Sequence, residues 1–494
     1  MMTFSLDRNK QQPLYHQLKT HLIRQIENGI LKPGDRLPAS RDLAKELGVG
    51  RISVLTAYEE LKDEDYLTAQ VGRGTFVAGI PPIRNGGFAL AGAGSDRQGS
   101  LHQLLGQASR PDVINFAQGT LPKSFLPVEK IQEILNKVLE RDGAAAITYE
   151  APEGYWPLRE EIALLAGDQG ITVRPDEVLV TGGCQQALDL VIQSLLNPSD
   201  VILTGCPTYP GILTIAQTRG ITPIGVDIDE DGMQTDQLES LIVEHRPRLI
   251  YTAPTYHNPT GSVMSIHRRR HLLEIAGRYH IPVLEDGVYE SLHFSGNQPP
   301  PPLKALDQED LVIYANSFSK TILPGIRIGY LLTGDRLYER ISRVKQTADI
   351  CSPSLNQRVV HWLIESGEMK RYIRKLRSEC HPRREAMAAA LINNLPEAKW
   401  KMPSGGLYLW VNLPKDGPSV LELYTHAVRA GVGFGIGPMF HVGNYGDYAM
   451  RLNMISYPPE TIREGIKILA ETYRLLKGDY QSGQTFTNQQ PLHI

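Results

Sequence analysis

The chain has 494 residues, 41% hydrophobic and 21% charged, with a formal charge of −3. That length exceeds a single domain, and the composition excludes collagenous and disordered classes. The charge excludes a uniformly basic nucleic-acid coat, so any DNA affinity must be local.

Four scattered cysteines (Cys184, Cys206, Cys351 and Cys380) contain no C-x-x-C pair. This argues against a disulfide framework or structural zinc and fits a reducing compartment. The start, MMTFSLDRNK, offers no signal-peptide core, and no apolar run approaches the roughly 18 residues of a membrane span. The expectation is a cytoplasmic protein without membrane contact.

In chain order, residues 1–79 are dense in helical periodicity, and 80–110 are rich in Gly, Pro and Ser and read as a linker. Residues 111–478 alternate strand-like and helix-length runs, and 479–494 form a polar tail. Within the first zone Leu14, Leu18, Leu22 and Ile26 share one helix face. Ser40 is placed to cap a short helix, RDLAKEL, with Leu43 and Leu47 facing inward and Gly48 ending it. A second helix starts near Arg51, its apolar residues being Val54, Leu55, Tyr58 and Leu61. YLTAQVGRGTFV then reads as two strands joined at Gly72-Arg73-Gly74. Helix, glycine turn, helix and β-wing make a small α+β winged helix-turn-helix whose second helix enters the major groove.

This run resembles the GntR-type winged helix over residues 12–78, through LPASRDLA, the GVGR turn, AYEEL and GRGTFV. The resemblance places Arg41, Arg51, Arg73 and Gly74 against double-stranded DNA. Guanidinium groups fork onto guanine edges or phosphates, and glycine lets a wing enter a narrow groove. Gly50 stands where the family usually has Ser.

In the large zone VLVTGG, DVILTGCP, PRLIYTAP, IPVLEDGVY, LVIYANSFS and RIGYLLTG are strand-like and separated by helix-length segments. They predict a large α/β unit, a mostly parallel sheet with helices on both faces. A smaller α+β subdomain is expected over about 385–478. TGGCQQAL follows a strand and opens a helix, so its backbone N–H groups aim at an anion. HNPTG offers Asn258 as a hydrogen-bonding group, and LEDGVYE puts Asp286 at a strand end, where ligands gather. SFSKTILPGIRIGY supplies an amine, Lys320.

Together these fit pyridoxal 5'-phosphate. Lys320 forms a Schiff base, Asp286 keeps the ring nitrogen protonated, and Asn258 and Tyr289 bond the ring oxygen. Gly183, Cys184 and Gln185, with Ser317, Ser319 and Arg327, hold the phosphate, and Tyr209 stacks on the ring.

The order and wording of these motifs resemble fold-type I aminotransferases over roughly residues 111–475. That resemblance implies three more roles. Tyr149, in YEAPEGYWPLRE, reaches the phosphate of the neighbouring subunit, so the site belongs to a homodimer. PSGGLYLW faces substrate, and Arg451, in MRLNMI, forks onto an amino acid's α-carboxylate.

Winged helix, linker and aminotransferase domain in this order resemble the MocR branch of GntR regulators. The implied function is a regulator that senses an amino acid or amine at Lys320. The alternative is a working aminotransferase, of the 2-aminoadipate kind or of broad amino-acid range, carrying a DNA-binding head. Cys184 stands where a serine is frequent, whereas HNPTG keeps the Asn that many of these regulators replace.

Overall fold

The i, i+4 leucines of the amino-terminal run do what their spacing requires: α1 (Leu14–Glu27) buries Leu18, Leu22 and Ile26. The computed structural model describes residues 13–27, 31, 34–63, 66–70, 74–77, 108, 110–294, 298–443 and 445–482. The chain divides into two units, Met1–Arg97 and Gln98–Ile494. Nearly all of the expected linker lies outside the described residues.

In the first unit α2 (Ser40–Leu47) ends at Gly48, whose φ of +63° is a left-handed cap that glycine adopts without strain. Ser40 does not cap this helix. The extended residue before the first turn is Ala39, no side chain caps there, and Ser40 is already helical. α3 (Arg51–Asp63) buries Val54, Ala57, Tyr58 and Leu61. Leu55, about 100° of helical rotation from Val54, lies outside that buried face and is 36% exposed. β1 (Leu67–Gln70) and β2 (Gly74–Val77) pair antiparallel, Gln70 opposite Gly74. Between them residues 71–73, Arg73 included, lie outside the described residues.

The second unit is built on an eight-stranded sheet. Its strands are β3 (Val178–Thr181), β4 (Val201–Cys206), β5 (Thr222–Asp229), β6 (Gly232–Met233), β7 (Leu249–Thr252), β8 (Val283–Asp286), β9 (Val312–Ser317) and β10 (Gly329–Leu332). The spatial order is β3-β10-β9-β8-β7-β4-β5-β6. β9, β8, β7, β4 and β5 run parallel, while β10 is antiparallel to both its neighbours and β6 to β5.

Both faces of the sheet are apolar and covered. Val178 and Val180 share a buried cluster with Leu158 and Ile162 of α4 (Trp156–Gly167). Leu179, between them, packs with Leu188 and Ile192 of α5 (Cys184–Leu195) on the opposite face. Strand side chains alternate faces, so a continuous apolar run marks a strand covered on both sides. α6 (Pro210–Thr218) and α7 (Ile266–Tyr279) follow β4 and β7.

The long α8 (Glu368–Asn394) joins two cores. Met369 and Ile373 belong to the cluster around β3, and Leu376, Cys380, Met387 and Leu391 to a second cluster. That second core lies under a four-stranded antiparallel sheet ordered β11-β12-β14-β13. Its strands are β11 (Lys399–Trp400), β12 (Tyr408–Asn412), β13 (Gly435–Ile436) and β14 (Ala449–Asn453). α9 (Val420–Arg429) and α10 (Pro459–Ser482) complete it. α10 continues through residues 479–482, where the sequence suggests the start of a polar tail. Among the described residues no helix is long and apolar enough to cross a membrane.

One buried cation organises the loop that carries HNPTG. Arg269, on α7, is wholly buried. It donates to the carbonyls of Met264 (3.0 Å), Pro254 (3.0 Å) and Pro301 (3.1 Å) and to Thr255 Oγ1 (2.8 Å). Its charge also opposes the effect of burial on Glu285, whose carboxyl is pushed up to about 7. Arg269→Met strands these acceptors and should cost about 3 kcal/mol or more, measured by denaturant unfolding. A loss below about 0.5 kcal/mol would mean that water replaces the guanidinium.

Candidate functional site

The carboxyl ends of the parallel strands converge, as an open α/β sheet requires of a ligand site. After β3 the chain turns through Gly182 and Gly183 into α5. Gly183 has φ of +115°, and a Cβ there would lie 2.5 Å from Arg327 Nη2, so only glycine fits. No side chain caps α5, which leaves the first-turn N–H groups of Cys184 and Gln185 available to an anion.

Arg327 donates to Gly182 O (2.8 Å) and Ser319 Oγ (3.2 Å), and Ser317 Oγ stands 3.0 Å from Ser319 Oγ. All of these acceptors are neutral. Among the described residues Arg327 pairs with no carboxylate.

At the end of β8, Asp286 is 6% exposed. It accepts from Tyr251 Oη (3.0 Å), the Val288 N–H (3.2 Å) and the Cys184 thiol (3.5 Å). Burial raises its pKa against the pull of these donors and of Lys320's charge. Burial, and then the charge of Asp286, pushes the Cys184 thiol up, so it remains a thiol. Among the described residues Asp286 has no ion-pair partner; it is a buried carboxylate awaiting a cation.

Lys320 Nζ donates to Gly119 O. A Cβ on Gly119 would lie 2.2 Å from Tyr408 Oη and 3.4 Å from Lys320 Nζ, so the backbone approaches here as only glycine allows. Tyr289 Oη donates to Tyr408 Oη (3.4 Å). Burial alone would raise the Tyr408 pKa, but the charges of Arg451 and Lys320 and the bond from Tyr289 outweigh it and lower the value. Tyr209 Oη donates to Gln185 Oε1 (2.9 Å), and burial pushes the Tyr209 phenol up.

Arg451, on β14, is 8% exposed and lies 3.9 Å from the Tyr408 ring centroid and 4.7 Å from that of Phe440. It donates to Asn258 Oδ1 (2.8 Å) and Ala117 O (2.7 Å), both neutral. Asn258 therefore bonds Arg451 in this structure, a link absent from the sequence reading.

Tyr149 is 76% exposed, on the surface of this chain, and so apart from the buried groups. In the first unit Arg41 and Arg51 are exposed, and Gly74, at φ of +116°, packs against Arg36. Sequence reasoning missed Tyr251, Gly119 and the particular role of Tyr408. Tyr251 had a signal, a tyrosine inside the buried run LIYTAP; Gly119 had none.

Pyridoxal phosphate matches these groups. A ring N–H answers the unpaired Asp286, a phosphate answers Arg327 and the α5 amides, and an aldehyde answers Lys320.

Residues 111–469 match the family described as Aminotransferase class I and II, and residues 14–77 the bacterial regulatory proteins of the gntR family. The uncharacterized HTH-type transcriptional regulator YdfD of Bacillus subtilis is 31% identical over 92% of this chain and 95% of its own length. Aromatic-amino-acid aminotransferase 1 of Thermococcus litoralis is 35% identical over 76% of this chain and 91% of its own.

Among solved structures, LysN, an α-aminoadipate aminotransferase of Thermus thermophilus complexed with N-(5'-phosphopyridoxyl)-L-leucine, superposes with a TM-score of 0.71. It is 31% identical and covers 77% of this chain and 99% of its own. The two matched segments, in that order on one chain, have a relative that spans both, and the family implies pyridoxal phosphate as cofactor. The chain belongs to the class I and II aminotransferases and, through its gntR-family winged helix, to the MocR-type transcription regulators.

Proposed function

We propose that this protein is a pyridoxal phosphate-dependent transcription regulator of the cytoplasm that senses an amino acid or amine at Lys320. It acts as a homodimer on a double-stranded operator. The observation that carries the reading is Arg451: a buried guanidinium lying against two aromatic rings and, among the described residues, bonded only to neutral oxygens. Such a group is costly to bury without an anion, and a carboxylate is the planar partner that a guanidinium fork fits.

When bound, the cofactor supplies an aldehyde carbon open to amines and a ring that withdraws electrons. The chain's residues do the rest. Asp286 holds a proton at the pyridine nitrogen, its carboxylate form hydrogen-bonded by Tyr251, Val288 N–H and Cys184. Gly183, Cys184 and Gln185, with Ser317, Ser319 and Arg327, hold the phosphate, joined by Tyr149 of the neighbouring subunit. Tyr209 covers the ring, while Asn258 and Tyr289 orient its oxygen. Arg451 binds the ligand's carboxylate, and Lys320 yields to the ligand's amine. Ligand control then requires that the amino compound bind two DNA-binding states with different affinity.

The DNA face is argued from α3. Arg51 begins it and Ile52 follows, 79% exposed; an apolar side chain on a groove-facing turn suits a thymine methyl. Arg41, Arg73 and Gly74 complete the face.

A second reading, transamination, is favoured by the completeness of the chemistry. Lys320, freed from its first bond, is a base within the same pocket as Asp286 and Arg451. The two readings are compatible.

Three measurements follow. Arg451→Ala should weaken amino-acid binding by about 30-fold or more in cofactor-absorbance titrations, with pyridoxal phosphate content unchanged; equal loss of both would make Arg451 structural. Arg51→Ala should weaken operator binding about tenfold in gel shifts, with an unaltered cofactor spectrum. Steady turnover with an amino acid and an oxo-acid would establish the transaminase reading, and a ligand-dependent gel shift without turnover the sensory one.

A further inference from the structure

Behind the Lys320 loop, sharing only Ser317 with the groups assigned above, lies a cavity of about 430 Å³. It falls in the size range of small-molecule sites. Its walls come from the end of α4, the β9–Lys320 loop and the first turns of α8.

Three features give it chemical character. First, it is cationic. Arg374 and Arg377 line it, and among the described residues neither meets a carboxylate. Among the described residues Arg377 donates only Nε, to Ser291 O at 2.9 Å. A third cation, Lys370, is matched by Asp168 at 2.9 Å.

Second, Leu165, Phe318, Met369 and Ile373 give the wall an apolar stretch, set among the polar Gln169, Ser291, Asn316 and Ser317. Third, Thr321 lines the cavity and is 6% exposed, yet among the described residues nothing hydrogen-bonds its hydroxyl. The hydroxyl is reached by solvent rather than sealed away, so it is open to a guest in the cavity.

We propose that this cavity is a second ligand site, for a small organic anion with an apolar body, such as an aryl-substituted carboxylate. The anion meets Arg374 and Arg377, the body lies on Phe318 and Ile373, and Thr321 donates to it. The site is coupled to the cofactor. Thr321 follows Lys320 directly, and Ser317, also in the wall, stands 3.0 Å from Ser319 Oγ, which accepts from Arg327. A guest that holds Thr321 and Ser317 therefore bears on Lys320 and the phosphate cup from the opposite side. No amino group is required of it, which separates this site from the amino-acid reading.

The test is calorimetry on the full-length, cofactor-loaded protein with two probes, 3-phenylpropionate and naphthalene-2-sulfonate. Neither can condense with an aldehyde. At least one should bind, with affinity kept within about twofold in Arg451→Ala and reduced about tenfold or more in Arg374→Gln/Arg377→Gln. Leu165→Trp, which fills the space and leaves the charges, should abolish binding. The uncharged 3-phenylpropanol should bind about tenfold more weakly, and saturation should shift the cofactor absorbance in the Arg451→Ala background.

Absence of binding by both probes overturns the inference, as does loss in Arg451→Ala with retention in the cavity variants. Equal affinity for inorganic phosphate would overturn the apolar part of the claim. Failure of the amino-acid reading would show instead as an Arg451→Ala variant that still binds amino acids normally.

Discussion

A carboxylate buried without a cation is the constraint around which this site is arranged. Asp286 is held by a phenol, a thiol and one backbone N–H, donors that keep a charge in place without cancelling it. Arg327, at the surface, meets no carboxylate among the described residues, and the buried Arg451 repeats the pattern with the opposite sign, bonded there only to neutral oxygens. Stranding charge in this way costs several kcal/mol per ion, a cost the rest of the fold must offset. The arrangement makes sense when a ligand brings the complementary charges: a ring N–H for Asp286, a phosphate for Arg327 and a carboxylate for Arg451. Cofactor and effector then complete the protein's electrostatics, and binding is coupled to stability.

The scaffold makes that arrangement possible. Strands covered on both faces tolerate little polarity along their length, so the polar groups collect at the strand ends. Thr181 precedes the anion turn on β3, Asp286 ends β8, and Ser317 ends β9. The small sheet contributes from the other side: Arg451 on β14 and Tyr408 on β12 lie in adjacent strands that pair antiparallel. α8 runs through both cores, so the two halves of the site share one rigid element.

What could be read from the sequence was local. Lys320, Asp286 and the Gly-Gly turn are marked by their position after apolar runs, and the winged helix by its leucine spacing and Gly48. Contacts between distant segments left little trace. Asn258 meets Arg451 from 193 positions away, and Gly119 O meets Lys320 from 201 positions away. Tyr251 reads as one more core tyrosine until its hydroxyl is seen on Asp286. The Ser40 cap failed by a single residue, the usual uncertainty of a helix start.

The proposed chemistry depends on a covalent bond at one nitrogen, that of Lys320. Borohydride reduction of the cofactor-loaded protein, followed by peptide mapping, reads it directly. The account predicts one phosphopyridoxyl adduct, on Lys320 within SFSKTILPGIR, and no adduct in a Lys320→Ala variant. An adduct on another lysine, or none in the loaded wild-type protein, would contradict it.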